Sequence, residues 1–145
     1  MTGLVYYFAY GSNLSKDRLK GRIGEWRESR KGLLEGYRLT FDSRGRTNII
    51  EKVGERVWGV LYLVTREQLD KLDTHEGAPH IYKRKEVKVR SNDQIIDAIT
   101  YQRTEKTSFS KPSSNYLQLI LTGLREHSFD EIVVKEVERI ANGQT

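Results

Sequence analysis

The chain has 145 residues, enough for one domain with a single sizeable core, and its 37% hydrophobic and 31% charged residues suit a folded protein rather than a disordered one. It contains no cysteine, which excludes disulfides, thiolate zinc sites and cysteine nucleophiles together. A net charge of +5 raises a nucleic-acid reading, but "KDRLKGR", "ESRK" and "YKRKEVKVR" sit beside acids or alternate along strands without interleaved aromatics, so a mixed-charge surface is the better reading.

"LVYYFA" (4–9) is rich in aromatic and β-branched residues and predicts a buried strand. The run is too short to span a membrane and has no basic residues before it, so neither a membrane span nor a signal peptide is expected and the chain reads as cytoplasmic. Ser15 predicts the cap of a short helix through "SKDRLKG", with Asp17 favourably placed in the first turn. "GLLEGYRLTFD" (32–42) and "RVWGVLYLV" (56–64) read as strands, with "SRGRT" and "KVGE" as turns and "NII" as a short strand between them. Thr65 with Gln68 forms a capping box that opens "TREQLDKL", and Leu69 and Leu72 share a face of that helix. "IYKRKEVKVR" (81–90) and "QIIDAITYQR" (94–103) alternate as an antiparallel pair around the tight turn "SND". Ser113 or Ser114 caps a helix through "NYLQLILTGLREH", and Asp130 starts a last one, "EIVVKEVERIA", which "NG" terminates. Strands with interspersed helices and hairpins predict an α+β fold, a strongly curved sheet with helices packed outside.

Three stretches could carry chemistry. In "FAYGSNL" a buried strand ends in Gly11-Ser12-Asn13. Gly11 lets the backbone take a left-handed turn and approach a ligand, and the amides of Gly11 to Leu14 lead into a helix start, an arrangement that suits an anion. A purely local turn is the competing reading. Ser12 is not the nucleophile of a G-x-S-x-G elbow. In "LDTHEG" Glu76 follows a helix end and precedes a glycine, either held close to the fold or an ordinary solvated acid, while Asp73 reads as structural, satisfying nearby backbone amides. In "KPSSNYLQLI" Tyr116 lies one turn inside a helix, where packing is the usual role. His75 and His80 are five apart, which matches no helical ligand pair, so no metal site is expected.

Together "YYFAYGSNL", "VWGVLYLVTREQLDKLDTHEG", "YKRKEVKV" and "KPSSNYLQLILTGLREHSF" resemble the gamma-glutamylcyclotransferase family, in order and approximate spacing, over most of the chain. The resemblance implies one domain over 1–145, with a mixed sheet closed into a small β-barrel and helices around it. It implies an enzyme that cyclises a gamma-glutamyl amide to 5-oxoproline and releases an amine, without a cofactor. It implies that Tyr10, Gly11, Ser12, Asn13 and Leu14 bind the glutamyl group, that Glu76 accepts the proton, and that Tyr82 and Tyr116 offer pocket hydroxyls. Arg84 could pair with a substrate carboxylate, but an exposed strand position is the better reading. The stretch 42–55, "DSRGRTNIIEKVGE", departs from the animal enzymes, which leaves the pocket wall and the leaving amine open. A ligand-binding module of the same fold without turnover, or a basic nucleic-acid binder, are the alternative readings.

Overall fold

A computed structural model describes residues 3–144. The helix starts lie where the side chains predict them. Ser15 accepts from the Arg18 amide ahead of α1 (Lys16–Ile23), and Thr65 and Gln68 close a reciprocal box ahead of α2 (Arg66–Glu76). Ser113 caps α3 (Ser114–Glu126) and Asp130 caps α4 (Glu131–Ala141). Each cap satisfies an amide that the first helical turn would otherwise leave without an acceptor. Among the described residues no helix is long and apolar enough to cross a membrane.

Five strands, β1 (Leu4–Ala9), β2 (Glu28–Phe41), β3 (Thr47–Thr65), β4 (Tyr82–Ser91) and β5 (Gln94–Arg103), close into a barrel in the order β1-β3-β2-β4-β5. Strand β1 runs antiparallel to β3 from Leu4↔Thr65 to Ala9↔Val60, and it closes the barrel by a parallel contact with β5 at Tyr7↔Ile99. Helices pack outside, as expected of the fold class. Phe8, Leu34, Ile49, Leu61 and Val89 fill the core from four of the strands, and Leu124 covers it from α3.

Two strand boundaries differ from the sequence reading. Strand β2 begins at Glu28 rather than at residue 32, because the apolar run of β3 offers it partners as far as Glu28↔Leu63. "KVGE" is not a turn between two strands: "NII" and "RVWGVLYLV" belong to one strand, β3. The register slips there, since Glu35 faces Arg56 but Tyr37 faces Glu51, so Lys52–Glu55 leave the ladder opposite Gly36. Gly36 and Gly54 both take φ +86°, which lets the hairpin bend sharply without breaking. At its far end the hairpin turns through Ser43–Arg46, as "SRGRT" predicts.

Helix α3 lies directly on the 3-10 turn Ser12–Leu14 that follows β1. Gly123 makes this possible, because a Cβ there would collide with the Leu14 backbone. The turn after β1 is thereby clamped from behind.

Candidate active site

At one end of the barrel a cavity of about 290 Å³ opens between the turn after β1, the last turn of α2, the β2–β3 turn and the start of α3. Tyr10, Gly11, Ser12, Asn13, Glu76, Tyr82 and Tyr116 all line it, so residues far apart in sequence converge there. Leu14 does not. Its side chain is buried beneath the turn, against α3, and its amide donates to the Gly11 carbonyl at 2.9 Å. The Ser15 amide similarly donates to Ser12 at 3.0 Å. The amides of Gly11, Ser12 and Asn13 are left without an acceptor among the described residues.

Gly11 is needed for a different reason from the one its sequence context suggests. Its φ is −124°, not left-handed. A Cβ there would instead run into the Thr47 hydroxyl, which pairs with the Tyr116 hydroxyl at 3.1 Å. Gly11→Ala is therefore expected to overpack this contact at a cost of about 1–3 kcal/mol, with a rise in KM. Thr47→Ala in the same chain should recover part of both losses, and denaturant titration with steady-state kinetics on the single and double variants checks this.

The Asn13 side chain, in the loop expected to bind the glutamyl group, is committed to the protein. Its Nδ2 donates to the Tyr7 hydroxyl at 2.9 Å and its Oδ1 accepts from Arg22 at 3.2 Å, so it holds that guanidinium at the cavity. The tyrosines are walls with occupied hydroxyls. The single hydroxyl proton of Tyr82 is shared between Asp42 at 2.9 Å and the Thr47 carbonyl at 2.8 Å, Tyr116 accepts from the Thr47 amide at 3.1 Å, and Tyr10 donates to the Tyr101 carbonyl.

Glu76 is the last residue of α2 rather than part of the loop behind it, and Gly77 ends the helix in the left-handed region at φ +67°. Its carboxylate is half-buried, lines the cavity and accepts no hydrogen bond from any described residue. Burial pushes this carboxyl above its ordinary value, and Arg22, Arg18, Arg46 and Arg44 oppose the shift without cancelling it. A carboxylate without partners, raised toward neutrality and facing a cavity, is suited to exchanging a proton.

Asp73, three residues earlier, has the opposite character. Its carboxylate is engaged by side chains rather than by the backbone amides expected of it: Arg84 Nε and Nη2 donate at 2.9 and 2.8 Å, and the Tyr101 hydroxyl also donates. Burial pushes its carboxyl up, but Arg84 and Tyr101 more than offset this and hold it below its usual value. Arg84 is also bound to Asp70 at 2.9 Å, on the exposed side and away from the cavity lining.

Arg22, Arg44 and Arg46 line the cavity, although the stretch holding Arg22 reads as mixed-charge surface and "SRGRT" as a turn. Asp42 organises the last two. Its carboxylate is fully enclosed and accepts from the Arg44 and Arg46 amides at 2.8 and 3.0 Å, from Tyr82, and from Arg103 at 2.7 Å. With Gly45 at φ +75°, this fixes the β2–β3 turn as part of the cavity wall. The stretch 42–55 thus contributes Arg44, Arg46 and Thr47 to the wall. The aspartate opening a glycine-containing turn in "DSRGR" was the available signal; nothing local to Arg22 distinguished it.

The family described as "Gamma-glutamyl cyclotransferase, AIG2-like" matches residues 7–119. Human gamma-glutamylcyclotransferase is 32% identical over 133 residues, covering 83% of this chain and 70% of the human protein. A solved gamma-glutamyl cyclotransferase structure superposes with a TM-score of 0.84 at 25% identity, over 93% of this chain and 86% of the other. The Bacillus subtilis protein YkqA shares the fold with a TM-score of 0.87 at 23% identity, and this chain spans 55% of its length.

Proposed function

The chain belongs to the gamma-glutamylcyclotransferase family, and from that membership we propose that it converts a gamma-glutamyl amide into 5-oxoproline and the free amine, with Glu76 moving the proton. The observation that carries the reading is the position of Glu76: half-buried, without a hydrogen-bond partner, in the same cavity as the free amides of Gly11, Ser12 and Asn13.

The reaction is intramolecular. The α-amine of the glutamyl group attacks its own side-chain amide carbonyl, a five-membered ring closes and the C–N bond to the leaving amine breaks. Holding a flexible chain in that geometry is worth about 7–11 kcal/mol, and the cavity walls formed by Tyr10, Tyr82 and Tyr116 supply the confinement. The substrate ammonium must first lose a proton. With ordinary values of ~4.3 for a Glu carboxyl and ~7.8 for an α-amine, transfer to Glu76 is uphill by about 5 kcal/mol. The raised Glu76 carboxyl narrows that gap. Once protonated, the same group can donate to the departing nitrogen, so one carboxyl serves both steps.

Two kinds of negative charge need partners. The α-carboxylate is charged throughout and suits a permanent cation, for which Arg22, held by Asn13, is the candidate. The carbonyl oxygen gains charge only during reaction and suits neutral, pre-oriented donors, a role that fits the loop amides. A screen of gamma-glutamyl amino acids, gamma-glutamyl amines and glutathione, reading 5-oxoproline by mass spectrometry, tests the reading. Turnover of at least one class is expected, and silence across all of them contradicts it.

A further inference from the structure

The cavity carries more positive charge than a gamma-glutamyl head group can use. Arg22, Arg44 and Arg46 face it, against a single carboxylate, Glu76. Elsewhere the exposed guanidiniums of Arg30, Arg38, Arg84, Arg90 and Arg125 are engaged by carboxylates at 2.6 to 3.1 Å, while Arg27, Arg66 and Arg139 have none in contact among the described residues. At the cavity, Arg22 and Arg46 have no carboxylate in contact among the described residues, and Arg44 reaches Asp42 only at 3.6 Å. Arg46 instead lies over the Tyr116 ring, 5.0 Å from its centroid, which orients the guanidinium without neutralising it.

The head group brings one carboxylate and one amine. Paired with Arg22 and Glu76 respectively, these leave Arg44 and Arg46 unmatched. Both stand on the β2–β3 turn, which Asp42 fixes from beneath through their own amides. Cations held in place by a buried carboxylate at the mouth of a cavity, Arg46 with no acidic partner among the described residues and Arg44 with only the long contact to Asp42, form a site for negative charge on whatever extends beyond the scissile bond.

We infer that the leaving amine is itself acidic and carries two carboxylates, as in a glutamate linked through its nitrogen to the gamma-carboxyl of another glutamate, and that Arg44 and Arg46 select it. This rests on the proposed cyclotransferase reading and names the substrate class of that site. A gamma-glutamyl amine with a neutral or cationic leaving group would leave Arg46 without a counter-charge and Arg44 with only the long contact to Asp42, and a cationic one would be repelled by both.

The test compares γ-Glu-Glu with γ-Glu-Gln, which differ only in the side-chain carboxylate of the leaving residue, and with γ-glutamyl-ethylamide, whose leaving group has no carboxylate. For the wild-type protein kcat/KM should fall in that order, by about 10- to 100-fold for each lost carboxylate, as expected for charge-assisted hydrogen bonds. In the double variant Arg44→Gln/Arg46→Gln, both exposed positions, the ratio between γ-Glu-Glu and γ-Glu-Gln should collapse toward one, whatever happens to the absolute rates. The wild-type ratio should also shrink as salt screens the exposed guanidiniums. Equal or better turnover of γ-Glu-Gln by the wild type overturns the inference while leaving the cyclotransferase reading intact. If no compound yields 5-oxoproline, that reading fails instead. Calorimetric titration of Glu76→Gln with γ-Glu-Glu and γ-Glu-Gln then still decides the inference, and equal affinities overturn it.

Discussion

Glu76→Gln is expected to lower kcat by about 10²–10⁴-fold, the usual cost of removing a general base. Glutamine keeps the size and shape of the side chain but cannot accept a proton from an ammonium. Because no described residue hydrogen-bonds to the Glu76 carboxylate, the substitution breaks no internal contact, and the cavity should still bind substrate. The wild-type rate should rise with pH along a limb lying above the ordinary carboxyl value of 4.5, and the variant should lack that limb.

The same substitution carries a stability signature. A carboxyl raised by folding contributes its stability below its unfolded value and loses it as pH rises through the folded one. Above its folded value the wild type therefore holds a half-buried carboxylate that the surrounding arginines only partly compensate, and there Glu76→Gln should melt above it. The difference should close below pH 4.5, where the wild-type carboxyl is protonated in both states. Asp73→Asn is the matched control. It breaks the contacts to Arg84 and Tyr101, so it should cost stability rather than rate. A Glu76→Gln protein that turns over near the wild-type rate would reduce Glu76 to a solvated acid and remove the basis of the mechanism.

Asp42→Asn has the largest expected effect on stability, about 3–5 kcal/mol, the range for breaking a buried ion pair by altering one partner. The carboxylate is fully enclosed and every contact it makes is with a donor: two backbone amides, the Tyr82 hydroxyl, Arg103 and, at 3.6 Å, the Arg44 guanidinium. An asparagine would turn an NH₂ group toward one of them and leave Arg103 without its counter-charge. Burial pushes the Asp42 carboxyl up, but the amides of Arg46 and Arg44, then Tyr82 and Arg103, outweigh it and hold the group below 3.8. Its contribution is thus fully present above pH 3.8 and is lost as pH falls through the lower folded value. Urea titrations across pH should show the wild type losing this increment on the acid side and Asp42→Asn lacking it. Since the turn carries Arg44 and Arg46, KM for an acidic substrate should also rise. Unchanged stability in Asp42→Asn would mean that the β2–β3 turn is held by other contacts.

The sequence by itself determined what depends on neighbouring residues and on period. Ser15, Thr65 with Gln68, Ser113 and Asp130 mark helix starts because a cap acts within one turn, and the alternation in 82–103 marks a hairpin because side chains switch faces at every residue. Barrel closure and the candidate roles of Glu76 and the 10–14 loop were legible through the resemblance to a family, in which motif order stands in for spatial proximity. The tertiary structure decided what depends on which surfaces meet. Gly11 is required by Thr47, thirty-six positions away, rather than by its own φ. Glu35 and Tyr37 find partners on either side of a slipped register, so "KVGE" bends one strand instead of separating two. Arg22 belongs to a charged surface stretch, and Arg44 and Arg46 to a turn, until the barrel brings the end of α1 and the β2–β3 turn to the same cavity. Local patterns encode hydrogen bonds and burial a few residues away, whereas the charge of a cavity is set by barrel closure, which no short window of sequence contains.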